Sequence, residues 1–211
     1  MTAMTPVRVD VWSDVQCIWC YISSARLRTA IEQHPAPVDV VHHSFQLSPE
    51  APVDIDRDEH IRSHGMDPAR MAQIKAQLAQ LITDEGLPYD PDRTQPTNSW
   101  QALQLLHHAG TLGRRPELTQ RLFEAYFGEG RHIGHLDELL AIGAEAGLDP
   151  DTARDVLTSR RHEAAVAEDI ARAQQLGARG VPFYVINDTW GLSGAQPVEQ
   201  FLRAFGEASR A

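Results

Sequence analysis

Valine alternates with polar residues over Val7-Arg8-Val9-Asp10-Val11-Trp12, and this two-residue period predicts a half-buried strand. A helix is expected from about Cys17 to Gln33, with Cys20, Leu27 and Ile31 near one face. His34-Pro35 ends it, because proline restricts the residue before it and cannot continue the ladder. Val38 to Leu47 is β-branched and apolar enough for a second strand. From 48 to about 66 the chain is rich in Pro, Asp and Glu and reads as loop.

Helical punctuation follows. Asp67-Pro68 is an N-cap with proline at the first helical position, and Gly86 closes that helix. Asn98 is the expected cap of a helix to Ala109, with Gly110 as its stop. Further helices are expected near Pro116–Phe127, Leu136–Ala146, from Asp149-Pro150, and His162–Leu176. No strand signal occurs between 67 and 177. Val181 to Ile186 is again a short apolar run, Asn187-Asp188 a turn, and Trp190 to Ser193 its hairpin partner. Gln196-Pro197 opens a last helix to about Ala208. The order is βαβ, an all-helical block, then ββα.

Composition narrows the class. A chain of 211 residues with 42% hydrophobic and 23% charged residues is ordinary for a globular protein with a real core. Its formal net charge of −10 argues against nucleic acid or an anionic membrane as the main partner. Met1 to Pro6 carries no secretory pattern, and no apolar run approaches the roughly 18–20 residues that cross a bilayer. The expected location is cytoplasmic.

The chain has two cysteines, Cys17 and Cys20, placed as Cys-Ile-Trp-Cys directly after the first strand. Two intervening residues make one helical turn, which puts the sulfurs within disulfide reach, with Cα atoms roughly 5–6 Å apart. A sulfur at a helix start faces unpaired backbone N–H groups and the positive end of the dipole, and both favour thiolate. A lone Cys-x-x-Cys is a poor structural staple in a reducing cytoplasm. The layout is that of a dithiol redox site.

A second landmark is Gly180-Val181-Pro182-Phe183-Tyr184-Val185-Ile186, a proline opening a strand after the helical block. Together the two sites resemble a thioredoxin-like α/β fold with an inserted all-helical domain, the DsbA-like branch. Within that branch the chain resembles the FrnE-like dithiol-disulfide oxidoreductases and isomerases. The resemblance is carried by Val9 to Val15, Cys17 to Ile22, Ser44-Phe45-Gln46-Leu47, Leu122 to Phe127 with Gly130-Arg131, and Ser193 to Pro197. It implies a thioredoxin-like domain of residues 1–50 plus 178–211 and a helical insertion of 51–177. The family pattern is usually Cys-Pro-Trp-Cys, and Ile18 stands in place of that proline.

The resemblance also implies roles. Cys17 is the attacking thiol and Cys20 resolves the mixed disulfide. Pro182 resembles the cis-proline facing the dithiol, with the Val181 backbone and Trp19 as substrate-binding groups. Asp10, on the first strand, is the candidate proton acceptor for Cys20, and Asp14 orders the turn before Cys17. No cofactor beyond the Cys17–Cys20 disulfide is expected, with glutathione as a possible redox partner. The partner is a thiol- or disulfide-containing protein or small molecule, and the chain a monomer or homodimer. Cys17 and Cys20 with His132-x-x-His135 have zinc-donor types, but the spacing is not that of a zinc module, and no metal site is expected. The alternative function is a glutathione-dependent transferase or isomerase resembling kappa-class glutathione transferases and 2-hydroxychromene-2-carboxylate isomerases. Those proteins usually have Ser where Cys17 stands.

Overall fold

The strand built by Val7, Val9 and Val11 is an interior strand of a four-stranded sheet. The computed structural model describes residues 5–57 and 67–210. Strand β1 (Val7–Ser13) runs into helix α1 (Ile18–Gln33) and β2 (Val38–Ser44). Helices α2 (Pro68–Asp84), α3 (Trp100–Thr111), α4 (Arg115–Phe123), α5 (Leu136–Glu145), α6 (Pro150–Thr158) and α7 (Glu163–Gln175) follow. The chain closes with β3 (Phe183–Ile186), β4 (Trp190–Ser193) and α8 (Val198–Ala208). β1 pairs parallel with β2, Val7 opposite Val38 through Ser13 opposite Ser44. It pairs antiparallel with β3, Val9 opposite Ile186 and Trp12 opposite Phe183, and β3 pairs antiparallel with β4.

Side-chain alternation along β1 sorts the two faces of the sheet. Val7, Val9 and Val11 join Leu27 and Ala30 of α1, Tyr184 and Ile186 of β3, and Phe201, Ala204, Phe205 and Ala208 of α8 in one buried cluster. Each fully buried Val, Phe or Leu there contributes roughly 1.5–3 kcal/mol relative to exposure. The opposite face carries a second cluster of Trp12, Phe45, Ala173, Ala178 and Phe183. Helix α7 is tied to it by side chains: Trp12 Nε1 donates to the Asp169 carbonyl at 2.9 Å, and the Arg172 guanidinium lies 5.8 Å from the Trp12 ring centre.

The chain divides into two units. One takes the described residues through Leu47 and from Ala164 onward; the other is Ser48–Glu163. The sheet unit therefore takes in almost all of α7, where the sequence reading placed the boundary at 178. Hydrophobic pattern alone marks α7 as one more helix; the contacts of Asp169 and Ala173 with β1 and β2 join it to the sheet.

Several ends differ from the sequence reading. Gly110 lies inside α3, and the helix stops instead at Leu112-Gly113, where Gly113 takes φ +69°. Ser99 is the cap residue of α3, because Asn98 acts from one position further out. Its Oδ1 accepts from Trp100 N at 2.9 Å while its Nδ2 donates to the Ala51 carbonyl at 2.7 Å. β2 ends at Ser44 rather than Leu47, since Leu47 N donates to Asp14 Oδ2 at 2.8 Å. The two Asp-Pro caps form as expected: Asp67 accepts from Arg70 N and Asp149 from Thr152 N. After α4 the backbone widens into a π turn over Glu124–Gly128, with Glu129 N bonded to the Glu124 carbonyl five residues back.

Candidate active site

Cys17 is the residue that caps α1. Its backbone is extended (φ −86°, ψ 112°), its N–H donates to the Asp14 carbonyl at 3.0 Å, and its own carbonyl accepts from Cys20 N and Tyr21 N. The helix thus begins at Ile18, and Ile18 needs no special backbone to start it. Cys20 lies one turn in, on the buried side of α1 with Tyr21, Ser23 and Leu27. Both cysteines are free thiols; Cys17 is 5% exposed and Cys20 2%.

The two thiols are driven apart electrostatically. The Cys20 thiol hydrogen bond holds the Cys17 pKa below the ordinary cysteine value, against the opposing effect of burial, and the backbone N–H groups of Cys20 and Trp19 add to the lowering. Burial pushes the Cys20 thiol well up, and its place beside the Cys17 sulfur adds to that. The helix-start N–H groups that the sequence reading invoked are present, but the partner thiol is the larger influence on Cys17. A thiol with a lowered pKa forms thiolate, the nucleophilic state of cysteine, more readily than a buried one with a raised pKa.

Val181 meets the dithiol through its backbone carbonyl. Cys17 Sγ lies 3.4 Å from the Val181 carbonyl oxygen and donates to it as a thiol. The Val181–Pro182 peptide bond is cis, and the Pro182 carbonyl accepts from Gly194 N at 2.8 Å, anchoring the loop to the end of β4. β3 begins only at Phe183, so Val181 precedes the ladder rather than opening it. Trp19 projects outward between the cysteines, 46% exposed.

Asp10 is not brought to the cysteines. It lies on the face of β1 opposite α1, fully buried, and its carboxylate is taken by Arg8 at 2.8 and 2.9 Å and by His43 Nε2 at 2.7 Å. Burial alone would raise its pKa, but the hydrogen bonds from Arg8 and His43 outweigh that and hold the carboxyl below its ordinary value. Such an anion is a poor proton acceptor for a thiol on the other side of the sheet. The expected role of Asp10 is corrected accordingly: the strand period that made it a buried acid also turned it away from Cys20.

The acid beside the dithiol is Asp14. It is fully buried; Oδ1 accepts from Gln16 N at 3.2 Å and Oδ2 from Leu47 N at 2.8 Å. Its negative charge raises the pKa of both cysteines, while its backbone N–H, directed at the Cys20 sulfur, works the other way. Asp14 orders the turn, as its place in the sequence suggests, and also sets the field around the sulfurs.

Two buried or half-buried polar arrangements of the sheet unit went unread in the sequence. His43 is gripped between two carboxylates, Asp10 at Nε2 and Asp169 at Nδ1, at 2.7 and 2.9 Å, and stacks on Trp12 with ring centres 4.4 Å apart. Ser23 and Tyr184 share a buried hydroxyl–hydroxyl hydrogen bond of 2.5 Å linking α1 to β3. The only sequence signal for either was a polar residue at an inward position.

A parallel–antiparallel sheet with a dithiol at the first helix and an X-Pro loop across from it defines a thioredoxin-type fold. The chain belongs to the DSBA-like thioredoxin domain family, whose model matches residues 8–206, and with it to the DsbA-like thioredoxin-fold oxidoreductases and isomerases. It is 32% identical to the probable DsbA oxidoreductase SCO1869 from Streptomyces coelicolor, with a TM-score of 0.91 over 96% of this chain and 89% of that one. The cytosolic disulfide reductase DsbM from Pseudomonas aeruginosa, in its structure with GSH, is 20% identical with a TM-score of 0.68, over 97% of this chain and all (100%) of that one. A 2-hydroxychromene-2-carboxylate isomerase is 18% identical with a TM-score of 0.71, over 96% of each chain. The last two likenesses are of fold.

Proposed function

We propose that this protein is a thiol-disulfide oxidoreductase, able to isomerise disulfides, that works through the Cys17–Cys20 dithiol. The observation that carries the reading is the placing of the two thiols: Cys17 caps α1 with its Sγ 3.4 Å from the Val181 carbonyl oxygen, and Cys20 lies buried one turn further in, an asymmetry that lowers the Cys17 pKa and raises that of Cys20. In the reductive direction the Cys17 thiolate attacks a substrate disulfide. A Cys17–substrate S–S bond forms, the substrate S–S bond breaks, and one substrate thiolate leaves and is protonated. Cys20 then loses its proton and attacks Cys17 Sγ, releasing the second substrate thiolate and forming the Cys17–Cys20 disulfide. Two electrons pass to the substrate, and reversal of the steps oxidises a dithiol.

The Val181 backbone is in position to pair with an extended substrate segment beside Cys17, and the exposed Trp19 offers it an apolar surface. Proton release from Cys20 is opposed by burial, by the Cys17 sulfur beside it and by the Asp14 charge, and formation of the mixed disulfide removes the Cys17 thiolate's part of that opposition. Glutathione is the first electron partner to test, given the DsbM neighbour with GSH. The proposed setting is the cytoplasm; among the described residues no helix is long and apolar enough to cross a membrane.

Insulin reduction and refolding of scrambled ribonuclease test the reading. Cys17→Ser should abolish both, and Cys20→Ser should accumulate mixed disulfides seen on non-reducing gels. Full activity in Cys17→Ser would sink the proposal. The transferase or isomerase alternative predicts glutathione conjugation or isomerisation of a small aromatic substrate that is indifferent to Cys20→Ser.

A further inference from the structure

We propose that Asp54, His132 and His135 form a binding site for a divalent first-row transition ion, with zinc as the reference ion. One donor atom from each residue lies within 4.8 Å of the other two. His135 Nε2 is 2.7 Å and His132 Nε2 3.7 Å from Asp54 Oδ1. A tetrahedral zinc with bonds of about 2.0–2.1 Å has its ligand atoms about 3.3–3.5 Å apart, so these separations bracket what the ion needs. The two imidazole rings stack face to face, centres 3.7 Å apart and 10° from parallel, and would turn from the stack to point both Nε2 lone pairs at one ion.

The backbone holds these groups together before any ion arrives. His132-Ile133-Gly134-His135 is a turn closed by His135 N donating to the His132 carbonyl at 3.1 Å, and the Ile133 side chain is fully buried beneath it. Gly134 is required there, since a Cβ would lie 2.2 Å from Thr97 Oγ1. The same Thr97 hydroxyl donates to the Val53 carbonyl at 2.7 Å, fixing the residue before Asp54. Thr97 thus seats the backbone of both halves of the site, and the exposed Asp54 and His135 side chains are what binding has to order.

Donor type selects the ion. Two imidazoles and one carboxylate suit zinc, cobalt or nickel, whereas calcium and magnesium favour all-oxygen shells. The nearby carboxylates are committed elsewhere, Glu138 to Arg131 at 2.8 Å and Asp137 to Arg154 at 2.9 Å. An open cleft of about 600 Å³ lined by His135, Asp137, Glu138 and Arg154 gives access and leaves room for water as the remaining ligand. Ligation through His132 Nε2 places that ring's proton on Nδ1, so the long 3.3 Å contact from Gly134 N must open slightly. The sequence hides the site because Asp54 and His135 are 81 residues apart.

The test uses tag-free protein with Cys17 and Cys20 both replaced by Ser, so that thiols cannot take the metal. Equilibrium dialysis against zinc, read by atomic absorption, should give one bound equivalent. Cobalt should give a visible spectrum of nitrogen and oxygen ligation without thiolate bands. His132→Gln and His135→Gln should each weaken binding at least about tenfold. In the protein with its histidines intact, zinc should protect His132 and His135 from diethyl pyrocarbonate, which keeps the test valid if a variant misfolds. Absence of stoichiometric zinc, undiminished binding in the double histidine variant, or unprotected histidines would each overturn the proposal.

Discussion

Cys17 Sγ and the carbonyl oxygen of Val181 stand 3.4 Å apart, although 164 residues separate them in the chain. The contact joins the start of α1 to the loop before β3 and sets the Cys17 sulfur against a backbone group. Around it, burial and charge treat the two cysteines differently.

That asymmetry is measurable by alkylation. In the reduced protein, iodoacetamide should label Cys17 with a rate that rises with pH and has its midpoint below the ordinary cysteine value of 9.0, since the Cys20 thiol hydrogen bond stabilises its thiolate. Cys20 should stay unlabelled until well above 9.0, because burial opposes its ionisation. Mass spectrometry of the labelled peptides reads both; preferential labelling of Cys20 would reverse the assignment of nucleophile and resolving thiol.

Asp14→Asn keeps an oxygen for Leu47 N and removes the negative charge that raises both cysteine pKa values. Ultraviolet thiolate absorbance should then titrate at lower pH for both sulfurs. A thiolate favoured in this way stabilises the reduced dithiol, so the Cys17–Cys20 couple should become more oxidising against a glutathione buffer. An unchanged titration would mean that Asp14 acts through turn geometry alone.

Asp10 is a stability residue on this structure. Asp10→Ala leaves the half-buried His43 Nε2 without its carboxylate and should cost about 2–4 kcal/mol in urea unfolding at neutral pH. The Asp10 pKa is depressed in the fold, from an ordinary value of 3.8. Its contribution is therefore present above about that pH and is lost as pH falls through the lower folded value. The gap between wild type and variant should narrow in strong acid, while disulfide exchange by the folded variant persists.

Gly130 takes φ +67°, and a Cβ there would meet Arg93 Cβ at 2.4 Å and the Arg93 carbonyl oxygen at 2.9 Å. Gly130→Ala combines a left-handed backbone cost with a backbone clash and should destabilise by about 2–4 kcal/mol. Thermal unfolding checks the size. Gly177→Ala is the control, sharing the positive φ but with nothing within 4 Å of the added carbon.

Some of this was readable from neighbouring residues. The alternation at Val7, Val9 and Val11, the Asp149-Pro150 cap and the Asn187-Asp188 turn before Trp190 each depend on side chains a few positions apart, and each forms where its pattern places it. Gly110 misled because a glycine can sit inside a helix whose flanks are well packed, here Ala109 and Leu106. Asp10 misled for a different reason. Its burial follows from strand period, but which face carries the dithiol depends on where α1 packs.

The strand, the Cys-x-x-Cys turn and the helix that follows are written in neighbouring residues, because hydrophobic period, caps and cysteine spacing act within a few residues of chain. Which groups the dithiol meets is a matter of packing. Layer packing brings Val181 to Cys17, leaves Asp14 rather than Asp10 in the field of the sulfurs, clamps His43 between Asp10 and Asp169, and places Asp54 beside His132 and His135. These pairings span long stretches of chain, and no local pattern encodes them, since each is fixed by the registry of packed elements rather than by the residues next to it.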